Sequence, residues 1–253
     1  MAGTAWSVDR LTAVAVRADA PRHAAVVRVT HWVTTACFLA LLVNGLEIVV
    51  SHPRFYWGES GNVMTPALFS LPIPSSRATV PTGYGYVLPD QNGWSRYLHF
   101  QAAWLLVLAG ALYVGWGAVS GHFRTALLPN ASERSLRAFS RAFARHLRFA
   151  RPAAADAWSY NLVQRLTYIL VIFALFPLVI WTGLAMSPAF VSAAPATVTM
   201  LGGRQSARTL HFLVSVLLVA FVLVHVAMVW LAGFGTRVMA MITGAPRAPE
   251  RAE

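Results

Sequence analysis

Long apolar stretches separated by charged segments dominate the pattern along this chain. Each of four stretches contains about 20 or more largely apolar residues, enough to cross a hydrocarbon core about 30 Å thick as a helix. We predict transmembrane helices over about residues 28–50, 97–119, 162–187 and 208–232, with Pro177 inside the third. The predicted fold is an all-α integral membrane protein built as a four-transmembrane-helix bundle.

The charge composition supports this fold class. Only 11% of the residues are charged, whereas a soluble domain usually carries about 25%. The net charge is +11 and every basic residue is an arginine, which by itself would suggest nucleic-acid binding. The arginines are instead divided unequally between the segments that flank the apolar stretches, so we expect no nucleic-acid partner.

The distribution of arginine also predicts the orientation in the membrane. Fifteen arginines lie in the two terminal segments and the loop between helices two and three, and five lie in the other two loops. Cytoplasmic segments carry the excess of positive charge, so both termini are predicted to be cytoplasmic. We predict a membrane domain over 28–236, between cytoplasmic tails over 1–27 and 237–253. Within this domain, residues 51–96 form a periplasmic loop and residues 120–161 form a cytoplasmic loop.

Two connecting segments have features of their own. The 51–96 loop is rich in proline and aromatic residues, and it is either a docking surface or lid, or an interfacial aromatic belt. Residues 132–151 place four apolar side chains on one helical face and a row of arginines opposite, which predicts an amphipathic interfacial helix on anionic lipid. The apolar residues are Leu136, Phe139, Phe143 and Leu147, and the arginines are Arg134, Arg137, Arg141, Arg145 and Arg148.

Cysteine usage and the start of the chain limit the possible chemistry. Cys37 is the single cysteine, so no disulfide forms within one chain. The sequence has no C-x-x-C-H motif, which excludes covalent attachment of c-type haem. Residues 1–28 lack a continuous apolar segment, so we expect no cleaved signal peptide.

Four histidines lie near the ends of the predicted helices. His211 and His225 are fourteen residues apart, which in a helix is a rise of about 21 Å with a return to nearly the same face. In the predicted topology His31 lies at the depth of His225, and His99 lies at the depth of His211. The sequence therefore predicts two histidine pairs, His31 with His225 and His99 with His211, one near each membrane surface.

Paired imidazoles at matched depths favour haem ligation. Ionisable residues inside a membrane are functional candidates by default, although a lone one is more often a neutral histidine bonded to a backbone carbonyl. We predict two bis-histidine b haems stacked across the bilayer, which leave the iron no open axial position and so transfer electrons. A tetrahedral zinc site would need four ligands together, whereas these four are divided into two distant pairs.

Other residues near the histidines are candidates for secondary roles. Arg28, Arg96, Arg204 and Arg208, with Arg165 as a further possibility, would hold the haem propionates, or they are ordinary membrane-edge arginines. Glycines on the helices would let porphyrin edges approach, although glycine is common in membrane helices; they are Gly45, Gly110, Gly115, Gly117 and Gly183.

A polar cluster at the start of helix three is a candidate quinone pocket. It consists of Asn161, Gln164, Arg165 and Tyr168, and the alternative is an ordinary polar helix start. The remaining histidines lie in or beside loops and are predicted not to be ligands; they are His23, His52, His122 and His146.

Four segments carry a resemblance to a known family. They read RVTHWVTTACFLALLVNG, RYLHFQAAWLLVLAG, YNLVQRLTYILV and RTLHFLVSVLLVAFVLVHV. Over roughly residues 23–240 the chain resembles the bacterial di-haem cytochrome b family. That family comprises the cytochrome b subunits of hydrogenases, formate dehydrogenases and thiosulfate reductases, and the cytochrome b561-like proteins.

The resemblance implies two b haems, with ligands at His31, His99, His211 and His225. It also implies a periplasmic catalytic partner, such as a molybdopterin oxidoreductase, and exchange of electrons with quinone. We therefore expect a membrane electron-transfer subunit of an oxidoreductase complex. The alternatives are a stand-alone quinol oxidase-type cytochrome that reacts with a small oxidant, and a haem-free membrane anchor or transporter.

Overall fold

The structure, a computed structural model, describes residues 23–62, 64–73, 91–129, 135, 137, 140, 144 and 162–244. The predicted interfacial helix over 132–151 therefore lies outside the described residues except at isolated positions, and Asn161 lies outside them too.

Four helices are long and apolar enough to cross a membrane, which confirms the predicted membrane bundle. The first span is α1 (Ala25–Ser51), and the second lies in α2 (Gln91–Val119). The third span covers Leu162–Leu184, and the fourth, named α7 below, is Arg204–Leu231. Helices one, two and four begin three to six residues earlier than predicted, because hydropathy marks the apolar part of a helix and not its first hydrogen-bonded turn.

The third span is not a continuous α-helix. It consists of α3 (Leu162–Leu170), a π-helical segment (Val171–Leu175) and α4 (Phe176–Leu184), and it ends three residues before the predicted limit of 187. Pro177 has no backbone N–H, and its ring interferes with the carbonyl four residues earlier, which belongs to Phe173 in the π-helical segment. The wider turn accommodates the proline without breaking the span.

The bundle is assembled from two helix pairs. The first span packs closely along the second, and α4 packs on α7, whereas the first and fourth spans make few close backbone approaches in the described part of the chain. Val171, Val214 and Leu218 form a buried apolar contact between the third and fourth spans. Outward-facing residues such as Leu108 and Leu223 stay largely exposed in the protein alone, as expected of side chains that contact lipid.

A small hairpin lies between the first two spans. Its strands, β1 (Arg54–Phe55) and β2 (Phe69–Ser70), pair antiparallel with Phe55 opposite Phe69. The ring of Phe55 is only 1% exposed, and its centroid lies 4.7 Å from that of Phe69 and 4.4 Å from that of Phe212 on α7. The all-α prediction missed this element, which packs its aromatic side chains on the fourth span.

Hydrogen bonds hold the hairpin loop to the start of α7. The hydroxyl of Thr209 donates to the carbonyl of Tyr56 at 2.7 Å, and the backbone N–H of Gly58 donates to the hydroxyl of Ser206 at 2.7 Å. The carbonyl of Gly58 accepts the N–H groups of Gln205 and Ser206 at 2.9 and 3.2 Å. Orphan donors of the first helical turn are thereby satisfied by the loop.

Two short helices connect the third and fourth spans on the same side as the hairpin. They are α5 (Pro188–Ala193) and α6 (Ala196–Thr199). A buried apolar cluster beneath them consists of Ala185, Val198, Leu201 and Ala207. We call this end of the bundle the hairpin side and the opposite end, where α1 begins, the terminus side.

A further helix follows the fourth span. This helix, α8 (Phe234–Thr243), is flanked by Gly233 and Gly244, which have positive φ angles of 93° and 92°. Backbone in that region favours glycine, so both glycines permit the sharp turns at the ends of the helix. The sequence interpretation placed a tail from residue 237 and missed this helix.

α8 is bonded to the start of α1. The Nη1 atom of Arg28 donates to the carbonyl of Ile242 at 2.7 Å, and the indole N–H of Trp32 donates to the carbonyl of Met241 at 3.2 Å. We call these two bonds the terminal clasp. They satisfy carbonyls at the end of a helix, where no intrahelical donor is left, and they fix α8 beside His31.

Candidate functional site

The structure brings the four predicted histidines together as two pairs. The ring centroids of His31 and His225 are 6.4 Å apart on the terminus side. Those of His99 and His211 are 6.2 Å apart on the hairpin side. One histidine of each pair lies on α7. Its partner lies on α1 (His31) or on α2 (His99), so the two histidine pairs bridge the gap between the two packed helix pairs.

These separations fit a shared iron between two imidazoles. An imidazole nitrogen binds a metal at about 2.0 Å and lies about 1.1 Å from its ring centre, so two axial imidazoles on one iron have centres about 6.2 Å apart. Among the described residues, no group of three or more His, Cys, Asp or Glu side chains is arranged to hold a metal ion. The geometry therefore suits two separate bis-histidine sites.

On the hairpin side, the backbone of the third span fixes the tautomer of His211. Its Nδ1 atom lies 3.0 Å from the carbonyl of Val179 and 3.0 Å from the hydroxyl of Thr182. A carbonyl oxygen can only accept, so the contact with Val179 requires that Nδ1 carries the proton, which leaves the Nε2 lone pair of His211 available as a ligand. The hydroxyl of Thr182 has carbonyl acceptors at Leu178 and Val179, 2.8 and 3.0 Å away, so it can present a lone pair to the ring.

Thr182 is the clearest residue that the sequence interpretation missed. It is fully buried and has no charge or metal-ligating chemistry that would distinguish it from other threonines in membrane helices. Its position directly before Gly183 is the signal that was available, because a glycine on one span next to a histidine on another lets the two approach.

Two of the predicted glycines lie against imidazoles of the hairpin-side pair. A Cβ atom at Gly183 would lie 3.3 Å from Cε1 of His211, and one at Gly45 would lie 3.7 Å from Cε1 of His99. No such contact exists at Gly110 or Gly115, and a Cβ at Gly117 would collide with the ring of Phe123. Gly45 and Gly183 thus form notches on the first and third spans that accept the ring of a histidine.

Aromatic rings surround the terminus-side pair. His225 lies against Phe221 in a stacked contact with centroids 5.6 Å apart, and Tyr168 approaches it edge-on at 6.4 Å. His31 makes an edge contact with Trp32 at 5.3 Å. The Nδ1 atom of His31 is buried with no hydrogen-bond partner in the described part of the chain. The rings make this site mainly apolar.

The predicted propionate arginines differ in their surroundings. Arg28 bonds to α8, and its buried Nε atom has no partner among the described residues, so a carboxylate such as a propionate would satisfy it. Arg96 is exposed. Arg204 lies 3.6 Å from Glu59, and Arg208 bonds to the carbonyl of His52. The geometry favours Arg28 as an anion partner most directly.

Arg208 has a second contact with the loop. Its guanidinium lies over the ring of Phe55, 5.1 Å from the centroid. Together with the bond to His52, this contact holds the segment between the first span and the hairpin against α7. The sequence interpretation considered only its spacing from His211 and did not find this connection.

One described member of the predicted quinone cluster, Tyr168, contacts the terminus-side pair. Arg165 is buried, and its Nη1 atom donates to the carbonyl of Leu128 at 3.2 Å. Gln164 is half-buried next to it, and Tyr168 contacts His225 as described above. The cluster therefore combines a fixed cation with a phenol adjacent to a candidate ligand.

His122, which we predicted not to be a ligand, lies apart from both pairs. Its ring contacts Trp116 and Tyr113 at centroid distances of 5.1 and 6.0 Å. Burial lowers the pKa of its imidazole, because removal from water disfavours the charged form. We expect a neutral ring that packs in an aromatic cluster at the end of the second span.

The chain is also similar to known proteins. A profile described as "Prokaryotic cytochrome b561" matches residues 22–244. A protein of Azospira oryzae, named a putative protein-methionine-sulfoxide reductase subunit YedZ1, is 29% identical over 227 residues, which cover 88% of this chain and 96% of the relative. No solved structure shows significant similarity to the chain.

The match covers most of the chain, including all four spans and both histidine pairs. The protein is therefore a multi-pass bacterial membrane protein that binds b-type haem and transfers electrons. The chain belongs to the prokaryotic cytochrome b561 family.

Proposed function

We propose that this protein holds two b haems and carries electrons across the membrane between a periplasmic oxidoreductase and the quinone pool. His31 and His225 would hold one haem, and His99 and His211 would hold the other. A haem held by two imidazoles would supply transfer of single electrons and would offer no site to a substrate. The observation that supports this proposal most strongly is the pair of ring separations, 6.2 and 6.4 Å.

The two sites are separated along the fourth span. Fourteen residues of helix place His211 and His225 about 21 Å apart, so the sites lie near opposite faces of the membrane. A backbone contact orients the ring of His211, and aromatic contacts orient that of His225. The protein's part is therefore to hold the two cofactors in line and to exclude water from them.

The orientation follows from the arginine distribution given above, with both termini in the cytoplasm. The hairpin side is then periplasmic, and its loop is fastened to α7 by the bonds of Gly58 and Thr209. Such an ordered loop suits the docking of a periplasmic catalytic subunit. The relative's name, which describes it as a putative subunit of a methionine-sulfoxide reductase, is consistent with a subunit role for this chain.

Quinone exchange is assigned to the terminus side. Tyr168 offers a hydroxyl beside His225. Gln164 lies one helical turn before Tyr168 on the same helix, and Arg165 adds a fixed positive charge. The arginine-rich face predicted over residues 132–151 would hold the same side against anionic lipid. In this arrangement the chain performs no substrate chemistry of its own beyond quinone exchange.

The first test is a dithionite-reduced minus oxidised spectrum of the detergent-purified protein, with haem quantified per chain. We expect two low-spin b haems per chain. One haem per chain would mean that one histidine pair is structural, and none would contradict the haem assignment altogether.

The second test addresses the partner and the quinone. We expect quinol to reduce the haems of the purified protein, and we expect a periplasmic oxidoreductase to co-purify from mildly solubilised membranes. Haems that react with a small oxidant at full rate in the absence of any partner would instead support a stand-alone cytochrome.

A further inference from the structure

Three of the four histidines can be compared at Nδ1, the ring nitrogen that would not bind iron. The Nδ1 atom of His211 has two oxygen atoms at 3.0 Å, from Val179 and Thr182. The Nδ1 atoms of His31 and His99 are buried and meet no acceptor with hydrogen-bonding geometry in the described part of the chain. Of these three imidazoles, His211 has the strongest support from the protein.

The third span can bond to His211 because a glycine lets the imidazole ring approach the helix closely. Gly183 leaves room for the ring of His211 to approach the helix, because a Cβ there would lie 3.3 Å from Cε1. The ring can then reach the carbonyl of Val179, four residues before the glycine. Thr182 precedes Gly183 and adds the second oxygen from the same helical turn.

The first span has a partial counterpart of this arrangement. Gly45 faces His99 with a looser contact of 3.7 Å. The preceding residue, Asn44, is buried. The first and third spans thus each present a glycine to a histidine of the hairpin-side site, but in the described part of the chain only the third span supplies hydrogen-bond acceptors to the Nδ1 atom.

We propose that Thr182 is a positioning residue that lowers the reduction potential of the hairpin-side haem through His211. This inference rests on the proposed ligation by His99 and His211. A hydrogen bond from Nδ1–H to an acceptor makes the imidazole a more basic ligand, and a more basic ligand favours the ferric over the ferrous state. The hydroxyl of Thr182 supplies one of the two acceptors, and its own proton is directed to the carbonyls of Leu178 and Val179, at 2.8 and 3.0 Å.

The test uses the full-length holoprotein and a redox titration followed at the haem absorption bands. Thr182→Val keeps the shape of the side chain and removes the acceptor. At a fixed ambient potential we expect the ferrous-to-ferric ratio of the hairpin-side haem to rise about three- to tenfold, where a tenfold change corresponds to 59 mV for one electron. Thr182→Ser should retain the wild-type potential.

A variant that keeps only the hairpin-side haem shows which redox transition belongs to that haem. In His225→Ala the hairpin-side haem is retained alone, so the effect of Thr182→Val can be read from a single transition. Thr182→Ala removes the same hydroxyl and should shift the potential in the same direction if the valine variant does not fold. The low-field electron paramagnetic resonance signal of that haem should move as well, because it responds to the axial imidazoles.

A matched control is available on the first span. Thr30 is buried, and its hydroxyl donates to the carbonyl of Val26 at 2.7 Å, but it bonds to no histidine nitrogen. Thr30→Val should leave the potential of the hairpin-side haem unchanged. An unchanged or lowered potential in both Thr182→Val and Thr182→Ala, or an equal shift in Thr30→Val, would overturn the role of Thr182. A wild-type protein without a haem at this site would instead contradict the proposed function.

Discussion

The carboxylate of Glu59 contacts both the backbone N–H and the guanidinium of Arg204. The backbone N–H of Arg204 donates to one carboxylate oxygen of Glu59 at 3.1 Å, and its guanidinium lies 3.6 Å from the other. A carboxylate at the start of a helix satisfies an orphan N–H and interacts favourably with the helix dipole. A residue of the first loop therefore caps the fourth span, which carries one histidine of each pair.

Gly203→Ala should loosen this junction. Gly203 has a φ of 111°, and a Cβ atom there would lie 2.5 Å from the carbonyl oxygen of Gly58. Such strain costs about 1–3 kcal/mol, so the midpoint of thermal unfolding in detergent should fall by several degrees. In Gly235→Ala the new Cβ meets no atom within 4 Å, and alanine favours a helix over glycine, so that control should unfold at or above the wild-type midpoint. Equal midpoints for Gly203→Ala and wild type would contradict the importance of the junction.

His225→Ala should remove the terminus-side haem and leave the hairpin-side haem bound. The reason is that the two pairs share no histidine and lie about 21 Å apart along one helix. Haem per chain, measured after purification, should fall from two to one. His122→Ala, at a histidine whose ring packs on Trp116 and Tyr113, should keep both haems. Retention of two haems in His225→Ala would show that the pairing is wrong.

Arg28→Gln should weaken retention of the terminus-side haem. The substitution removes the buried, unpartnered Nε that we assign to a propionate, and hydrogen bonds to charged groups contribute about 1.5–3 kcal/mol. We expect haem to be lost about tenfold more readily on washing with detergent. Trp32→Phe removes only the other bond of the terminal clasp and should retain the haem. Equal losses in both variants would indicate that the clasp, and not a propionate, is what matters.

Reversing the charge at Arg137, Arg141 and Arg145 should weaken binding to anionic lipid. These arginines lie on the polar face predicted for residues 132–151, and each basic residue near an anionic surface contributes about 1 kcal/mol. Co-purified anionic lipid should decrease, with both haems retained. The same reversal at Arg54, on the hairpin side, serves as the control. Unchanged lipid content in the triple variant would count against an interfacial helix.

The sequence was sufficient to predict the four spans and the histidines that face each other. Hydropathy locates each apolar stretch, and helical geometry relates His211 to His225 without any knowledge of packing. The ends of the spans were predicted less accurately. Arg204, for example, is helical because Glu59 caps it, and that residue is distant in sequence.

Features that depend on contacts between distant segments were missed. The hairpin has only two residues per strand, too short for an alternating pattern, and it is held in place by Phe212. Thr182 has its role only because His211 lies against the same helical turn. By contrast, α8 had a local signal that was overlooked, since Gly233 and Gly244 mark both of its ends.

The terminal clasp has a consequence for the order of events during synthesis. Arg28 and Trp32 emerge from the ribosome early, whereas their acceptors at Ile242 and Met241 emerge more than 200 residues later. The clasp therefore cannot close until α8 has been translated. The terminus-side site is completed only after that point, so a chain truncated before α8 would keep both histidines of that pair but lose the two bonds of the clasp.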